Sequence, residues 1–359
     1  MSTPSTLDTK DAPASPDAEP LTHGTLPRKA APATLAAFLL LGTALLWAGW
    51  NPALCGIVAA VGYTATVYLW SRVVEDARSA ADRLVTAVVA GAFCLAMLPL
   101  VSVLTTVVTQ GLARFDVTFF TNSMRGVVGE GGGIHHALMG TLIITGMTAL
   151  ISVPVGLLTA IYLVEYGTGK LAKAITFFVD VMTGIPSIVA GLFAYALFAL
   201  VLGPGVRMGI MGAVALSVLM IPVVVRSAEE MLKLVPNELR EASYALGVPK
   251  WRTISKVVLP TSLAGIATGV TLAVARVIGE TAPLLITVGI TSSDNFNPFD
   301  SRMATLSVFS YYEYVTPGFP AEASLDRAWG AALVLIIIVM ALNLVARLVS
   351  RLFAPKARG

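Results

Sequence analysis

Long apolar stretches separated by short charged ones dominate this chain. Stretches long enough to cross a bilayer, about 20 residues as helix, fall near residues 34–50, 52–71, 84–109, 136–163, 175–202, 208–227, 262–290 and 328–349. The pattern predicts an all-α polytopic membrane protein with about eight transmembrane helices and both termini on one side. Such uninterrupted runs exclude a membrane β-barrel, whose strands alternate between lipid-facing and lumen-facing residues. The first stretch is the shortest and is parted from the second by little more than Asn51 and Pro52.

Composition agrees: 56% of residues are hydrophobic, 13% are charged and the mean hydropathy is +0.81. A soluble globule carries roughly twice that charged fraction. The net charge of +3 matters less than its distribution. One set of polar segments holds Lys10, Arg28, Lys29, Arg72, Arg78, Arg83, Lys170, Lys173, Arg226, Lys233, Arg240, Lys250, Arg252, Lys256, Arg347, Arg351, Lys356 and Arg358. The opposite set holds only Arg114, Arg125, Arg207, Arg302 and Arg327. Because basic loops stay on the cytoplasmic side, both termini and the loop 228–261 are expected there.

Residues 1–33, rich in Pro, Ala, Ser, Thr and Asp, lack the apolar content to order themselves and read as a disordered cytoplasmic tail rather than a secretory signal. Residues 71–83 mix charges of both signs and read as a short cytoplasmic helix closing an N-terminal transmembrane pair, 34–83. A first core span and external loop would occupy 84–135, and 351–359 a cytoplasmic tail. The segments 126–133 and 291–304 read as external connections or receptor-docking surfaces. Cys55 and Cys94 both fall in apolar stretches, and His23, His135 and His136 form no zinc spacing with them, so neither a disulfide framework nor a metal site is supported. No nucleic-acid partner is expected. The stretch around Gly167 and Lys170 fails as a phosphate-binding loop, because Val164 and Leu171 occupy the positions of its first glycine and its Ser or Thr.

The polar stretch 241–260 lies between two apolar spans and has helix-forming order of its own. Asn237 is placed to cap a short helix, Leu239, Ala242 and Leu246 recur on one face, and Gly247 supplies a left-handed stop. Pro249, Trp251 and Ile254 start a second short helix running to Leu259 and Pro260. A loop so patterned suits docking on a partner; the alternative is an amphipathic helix lying on lipid.

Charges within or at the edge of the spans suggest what moves. Arg276 lies about 21 Å along the span that begins near residue 262, close to mid-membrane, with Glu280 four residues on and expected on the same helical face. An ion there costs at least about 2.5 kcal/mol on insertion scales, so it should face a cavity or a partner. Arg226 and Glu229 form a second pair near the cytoplasmic edge. Two guanidinium forks on neighbouring helices suit a tetrahedral oxyanion, with the carboxylates holding them when no anion is bound. The competing readings are anchoring or snorkelling for Arg226, a structural ion pair for Arg276 with Glu280, and a merely interfacial Asp180.

The loop also resembles the EAA loop of binding-protein-dependent ABC importer permeases. Glu241, Ala242, Gly247, Leu259 and Pro260 match that pattern, with Ser243 in place of its second Ala and Val257 in place of its Ile. The strings GTLIITGMTALISVPVGLLTAIYLVEYG, IPSIVAGLFAY, RSAEEMLKLVPNELREASYALG and ARVIGETAPLLIT resemble the PstA family, the permease subunit of the bacterial phosphate ABC importer. The resemblance implies a type I ABC importer permease fold of six core spans, within a permease domain at 136–350 whose EAA loop is 238–260, preceded here by the additional N-terminal pair. It implies inorganic phosphate import across a bacterial plasma membrane, driven by ATP hydrolysis on a separate subunit that holds the ATP and Mg. No cofactor is expected on this chain, and no enzymatic activity of its own. The implied partners are a PstC-like permease, two PstB-like ATPase subunits and a PstS-like external phosphate-binding protein. Arg226, Glu229 and Arg276 carry over to residues implicated in phosphate movement, and Glu280 is assigned to the same path. The alternatives are a permease for another oxyanion such as phosphonate, sulfate or molybdate; a secondary carrier in which Glu280 relays protons; and a membrane scaffold.

Overall fold

The computed structural model describes residues 24–27 and 29–353. Among these, fourteen α-helices follow in order: α1 (Ala30–Trp47), α2 (Pro52–Val74), α3 (Ala77–Gly111), α4 (Val117–Thr121), α5 (His135–Ile161), α6 (Gly169–Thr183), α7 (Ser187–Leu202), α8 (Gly209–Lys233), α9 (Asn237–Ala245), α10 (Lys250–Thr253), α11 (Leu259–Val277), α12 (Ala282–Thr287), α13 (Leu306–Val315) and α14 (Ala321–Phe353). Seven helical stretches are long and apolar enough to cross a membrane, or eight if the bent pair α6 and α7 counts as one span. The chain divides between Val103 and Leu104 into two compact units.

The first unit is built on the hairpin of α1 and α2. Pro52 opens α2 at a position where its missing N–H costs nothing, and Asn51 Oδ1 accepts from Ala53 N–H at 2.9 Å. The described end of the expected tail and the linker are built into the first unit. Helix α1 starts at Ala30, and before it Leu26 is buried, its N–H donating to Glu75 Oε1 at 2.8 Å. Residues 1–23 lie outside the described part. Residues 71–83 are no separate helix: α2 runs to Val74, Glu75 turns the corner and α3 begins at Ala77. The unit boundary therefore falls inside α3, not before residue 84.

The second unit is organised around α8, of whose most apolar window 61% is buried, against 22% for the span that contains α5. Small residues let its neighbours approach. A Cβ on Gly156 of α5 would lie 2.7 Å from Val224, and one on Gly269 of α11 would overlap the Ser227 hydroxyl. The core around α8 joins Ile144, Leu216, Met220, Val224, Ala273, Val277 and Leu284.

Two predicted spans are broken. The stretch 175–202 bends by 110° between α6 and α7 at Gly184, Ile185 and Pro186. Proline lacks the N–H a continuing helix needs and pushes the preceding residue out of the helical region, a local steric effect that hydrophobic content does not register. The stretch 262–290 ends its long helix at Val277 and resumes only as the short α12. At the other end that helix starts early: α10, a π-turn at Ile254–Val258 and α11 form one continuous stretch from Lys250 to Val277, so the second loop helix expected to stop at Pro260 runs straight into the membrane. Pro260 stands inside this continuous stretch, just after the π-turn, the kind of local adjustment that accommodates the N–H a proline lacks.

Candidate transport path and coupling loop

The lower end of α8 carries a closed set of charges. Arg226 donates through Nη1 to Glu229 Oε2 at 2.9 Å and through Nη2 to Asp180 Oδ1 of α6. Lys233 Nζ donates to the other Glu229 oxygen at 2.7 Å. Glu229 is buried and Asp180 exposed. The expected pairing of Arg226 with Glu229 is present, and Asp180, read from the sequence as a bystander, ties the bent α6 to α8. It could not be paired from sequence because it lies 46 residues from Arg226.

Arg276 differs from its expected setting. Helix α11 ends at Val277, so Glu280 is not one turn further along the same face; it sits in the break, its N–H on Val277 O at 3.1 Å and its carbonyl accepting from Ser307 at 2.9 Å. Among the described residues Arg276 has no ion pair or side-chain hydrogen bond, and it is exposed on this chain. Nor do Arg226 and Arg276 form one fork. Ser227 packs at Gly269, and Arg276 lies seven residues beyond, about 10 Å further along the axis. The two guanidiniums are therefore carried at different heights along the helix axes.

The loop after α8 is held by a clamp that sequence reading missed. Helix α5 ends in a π-turn, Tyr162–Tyr166, which carries Glu165 into the interior. Arg240 of α9 donates to Glu165 Oε1 from Nη2 at 2.9 Å and from Nε at 3.1 Å. Its remaining donors reach Leu232 O at 3.0 Å and Val235 O at 2.5 Å. Lys250 Nζ donates to the Glu165 carbonyl and lies 4.8 Å from the centre of the Tyr166 ring. The available signal was a lone carboxylate, Glu165, at the end of an apolar run.

Helix α9 itself follows the sequence with one change. Asn237 is its first helical residue, not its cap; its Oδ1 accepts from Arg240 at 3.3 Å. At the other end Gly247 has φ +74° and donates to Tyr244 O at 2.9 Å, while Val248 donates to Ser243 O at 3.2 Å, the paired bonds of a Schellman stop. Ser243, standing where the EAA pattern has alanine, is buried with its hydroxyl 2.8 Å from that of Thr253. Leu239, Glu241, Ala242, Leu246 and Trp251 are exposed. One side of α9 is therefore bolted to the chain, and its apolar stripe faces away.

Residues 152–359 match the family described as binding-protein-dependent transport system inner membrane component. The chain is similar to the phosphate transport system permease protein PstA 1 of Mycobacterium tuberculosis (strain ATCC 25618 / H37Rv), with 49% identity over 74% of this chain and 86% of the relative. It is also similar to the phosphate transport system permease protein PstA of Pasteurella multocida (strain Pm70), with 39% identity over 68% and 86%. A chain of a bacterial ABC transporter involved in the import of the acidic polysaccharide alginate superposes with a TM-score of 0.54, at 14% identity, over 76% of this chain and 97% of that one. The fold is that of type I ABC importer permeases.

Proposed function

The chain belongs to the PstA family and is a permease subunit of a phosphate ABC importer, and we propose that Arg276 and Arg226 form successive anion steps within it. The observation that carries this reading is Arg276, in the last turn of α11 beside the helix break, exposed on this chain and without an acid partner among the described residues. A guanidinium there is too costly to leave against lipid, and a lumen shared with a second permease gives it water and anions. Arg226, paired with Glu229 and Asp180, then receives the anion by exchanging carboxylate oxygens for phosphate oxygens of the same hydrogen-bonding geometry. Glu280, in the helix break, belongs to the same path.

The second permease is PstC-like, the ATP and Mg²⁺ bind to two PstB-like subunits, and phosphate arrives on a PstS-like external protein. This chain acts without enzymatic activity or a cofactor of its own. The exposed Leu239, Ala242 and Leu246 of α9 meet the ATPase, with Glu241, Gly247, Leu259 and Pro260 shaping that contact, and the clamp on Glu165 carries its motion into α5. The coupling loop and both termini lie in the cytoplasm of a bacterial cell, as the positive-inside bias requires.

Arg276→Gln tests the path, because it keeps hydrogen-bonding ability but removes the charge and the fork. Phosphate uptake should collapse while the assembled complex is recovered at the normal level. Uptake restored by adding Glu280→Gln would show a structural pair instead and refute the transport role.

A further inference from the structure

Two arginines without an acid partner meet at the end of α8 opposite the coupling loop. Arg207 immediately precedes the residue that caps α8, and Arg302 lies in the loop between α12 and α13. Both approach Gly289: a Cβ built there would lie 3.0 Å from Arg207 Cδ, 3.5 Å from Arg207 Nη1 and 3.3 Å from Arg302 Cδ. Gly289 has φ +69°, so the turn that admits both side chains suits glycine twice over, in conformation and in space. Backbone bonds fix the three segments together, Met208 N–H on Thr287 O at 3.2 Å, Met303 N–H on Val288 O at 3.3 Å and Ile210 N–H on Pro298 O at 2.8 Å.

Both arginines line one open cavity of about 810 Å³. Two carboxylates share its lining, and both have other partners: Asp294 Oδ1 lies 2.8 Å from His135 Nδ1, and Asp300 Oδ1 accepts from the Ser301 hydroxyl at 3.2 Å. Among the described residues neither arginine takes part in an ion pair or a side-chain hydrogen bond. Among the described residues neither carboxylate is paired with either arginine, so both guanidinium forks keep their donors open toward a ligand in this cavity. Met208, the residue before the first turn of α8, also lines the cavity, so the positive end of a 25-residue helix adds to the field there.

We propose that Arg207, Arg302 and the α8 amino terminus form a capture site for a single tetrahedral oxyanion, inorganic phosphate, on the face opposite the coupling loop. The proposal rests on the phosphate-import reading. The site would take phosphate as it leaves the external binding protein and stand above Arg276 on the same route. Guanidinium forks favour an oxyanion that can accept two parallel bonds from each, which chloride cannot do.

The test uses the assembled wild-type transporter, treated with an arginine-selective dicarbonyl and read residue by residue by mass spectrometry. Phosphate should slow modification of Arg207 and Arg302 by at least about threefold, the protection expected at twice the dissociation constant. Chloride at equal ionic strength should not, and the exposed Arg125 should react equally in both. Equal rates at Arg207 and Arg302 with and without phosphate overturn the proposal. So does protection that needs only the unliganded external binding protein, which would mark the pair as a docking point for an acidic side chain. In the same complex, Arg207→Gln with Arg302→Gln should lower phosphate uptake without lowering recovery of the complex, and Arg302→Lys should retain part of it; full uptake in the double variant overturns the proposal. Protection in a complex that takes up no phosphate supports the site and breaks the transport reading, whereas no protection in a complex that does take it up overturns the site alone.

Discussion

The two ends of α8 treat charge in opposite ways. At the end leading into the coupling loop, Arg226, Glu229, Lys233 and Asp180 satisfy one another, and a few residues on Arg240 is enclosed by Glu165 and backbone carbonyls. At the other end Arg207 and Arg302 stand together unpaired, and Arg276, part of the way between, is unpaired as well. Charges that satisfy each other hold elements in place, because breaking them strands a partner. Charges left open can exchange water for an anion at little cost. In the reading proposed, the paired end holds the elements that meet the ATPase, with Arg226 doubling as an anion step, and the unpaired cations stand along the anion's route.

That contrast is broken most strongly at Glu165. Glu165→Ala should strand Arg240 among carbonyls and cost about 3–5 kcal/mol, as removal of one partner from a buried pair does, so the subunit should be recovered poorly or with its ATPase detached. Arg276→Gln, by contrast, should leave recovery untouched. If recovery of the two variants is equal, measured by co-purification of the ATPase, paired and unpaired charges are not doing different jobs here.

A smaller effect is expected at the stop of α9. Gly247→Val places a β-branched residue at φ +74°, a strain of about 1–3 kcal/mol, which should reorient the Leu239, Ala242 and Leu246 stripe. Phosphate-stimulated ATP hydrolysis should fall while the subunit's level in the membrane holds. Normal hydrolysis in this variant would separate the α9 stripe from coupling.

The smallest effect sharpens the comparison from outside the permease unit, at a pair that holds structure alone. The Arg83 guanidinium, with help from Ser71 and the Leu26 N–H, holds the Glu75 carboxyl down at about 2, below its ordinary 4.5. A depressed folded-state value means that the contribution is complete above about pH 4.5 and is lost as pH falls from there toward 2. Hydrogen exchange at the Leu26 amide should therefore report increasing opening through that interval, and Glu75→Gln should flatten the dependence. An unchanged profile in the variant would remove Glu75 as its source.

The class of protein, the number of apolar stretches and the polar loop between the α8 and α11 spans were legible in the chain because burial in lipid selects residue type over some twenty consecutive positions. The Gly247 stop was legible because it depends on one residue and its immediate neighbours. What the chain alone determined is thus whatever a single segment can satisfy by itself: its solvent, its period and its local backbone geometry. Tertiary structure decided the rest. It interrupted two apolar runs at breaks that hydrophobicity does not record and ended α11 before Glu280, so that carboxylate never shares a face with Arg276. It drew Asp180 to Arg226 across 46 residues and Arg240 to Glu165 across 75. It also brought Arg207 and Arg302 to one glycine from separate loops. Which charges are paired depends on which segments meet, and only packing around α8 determines that.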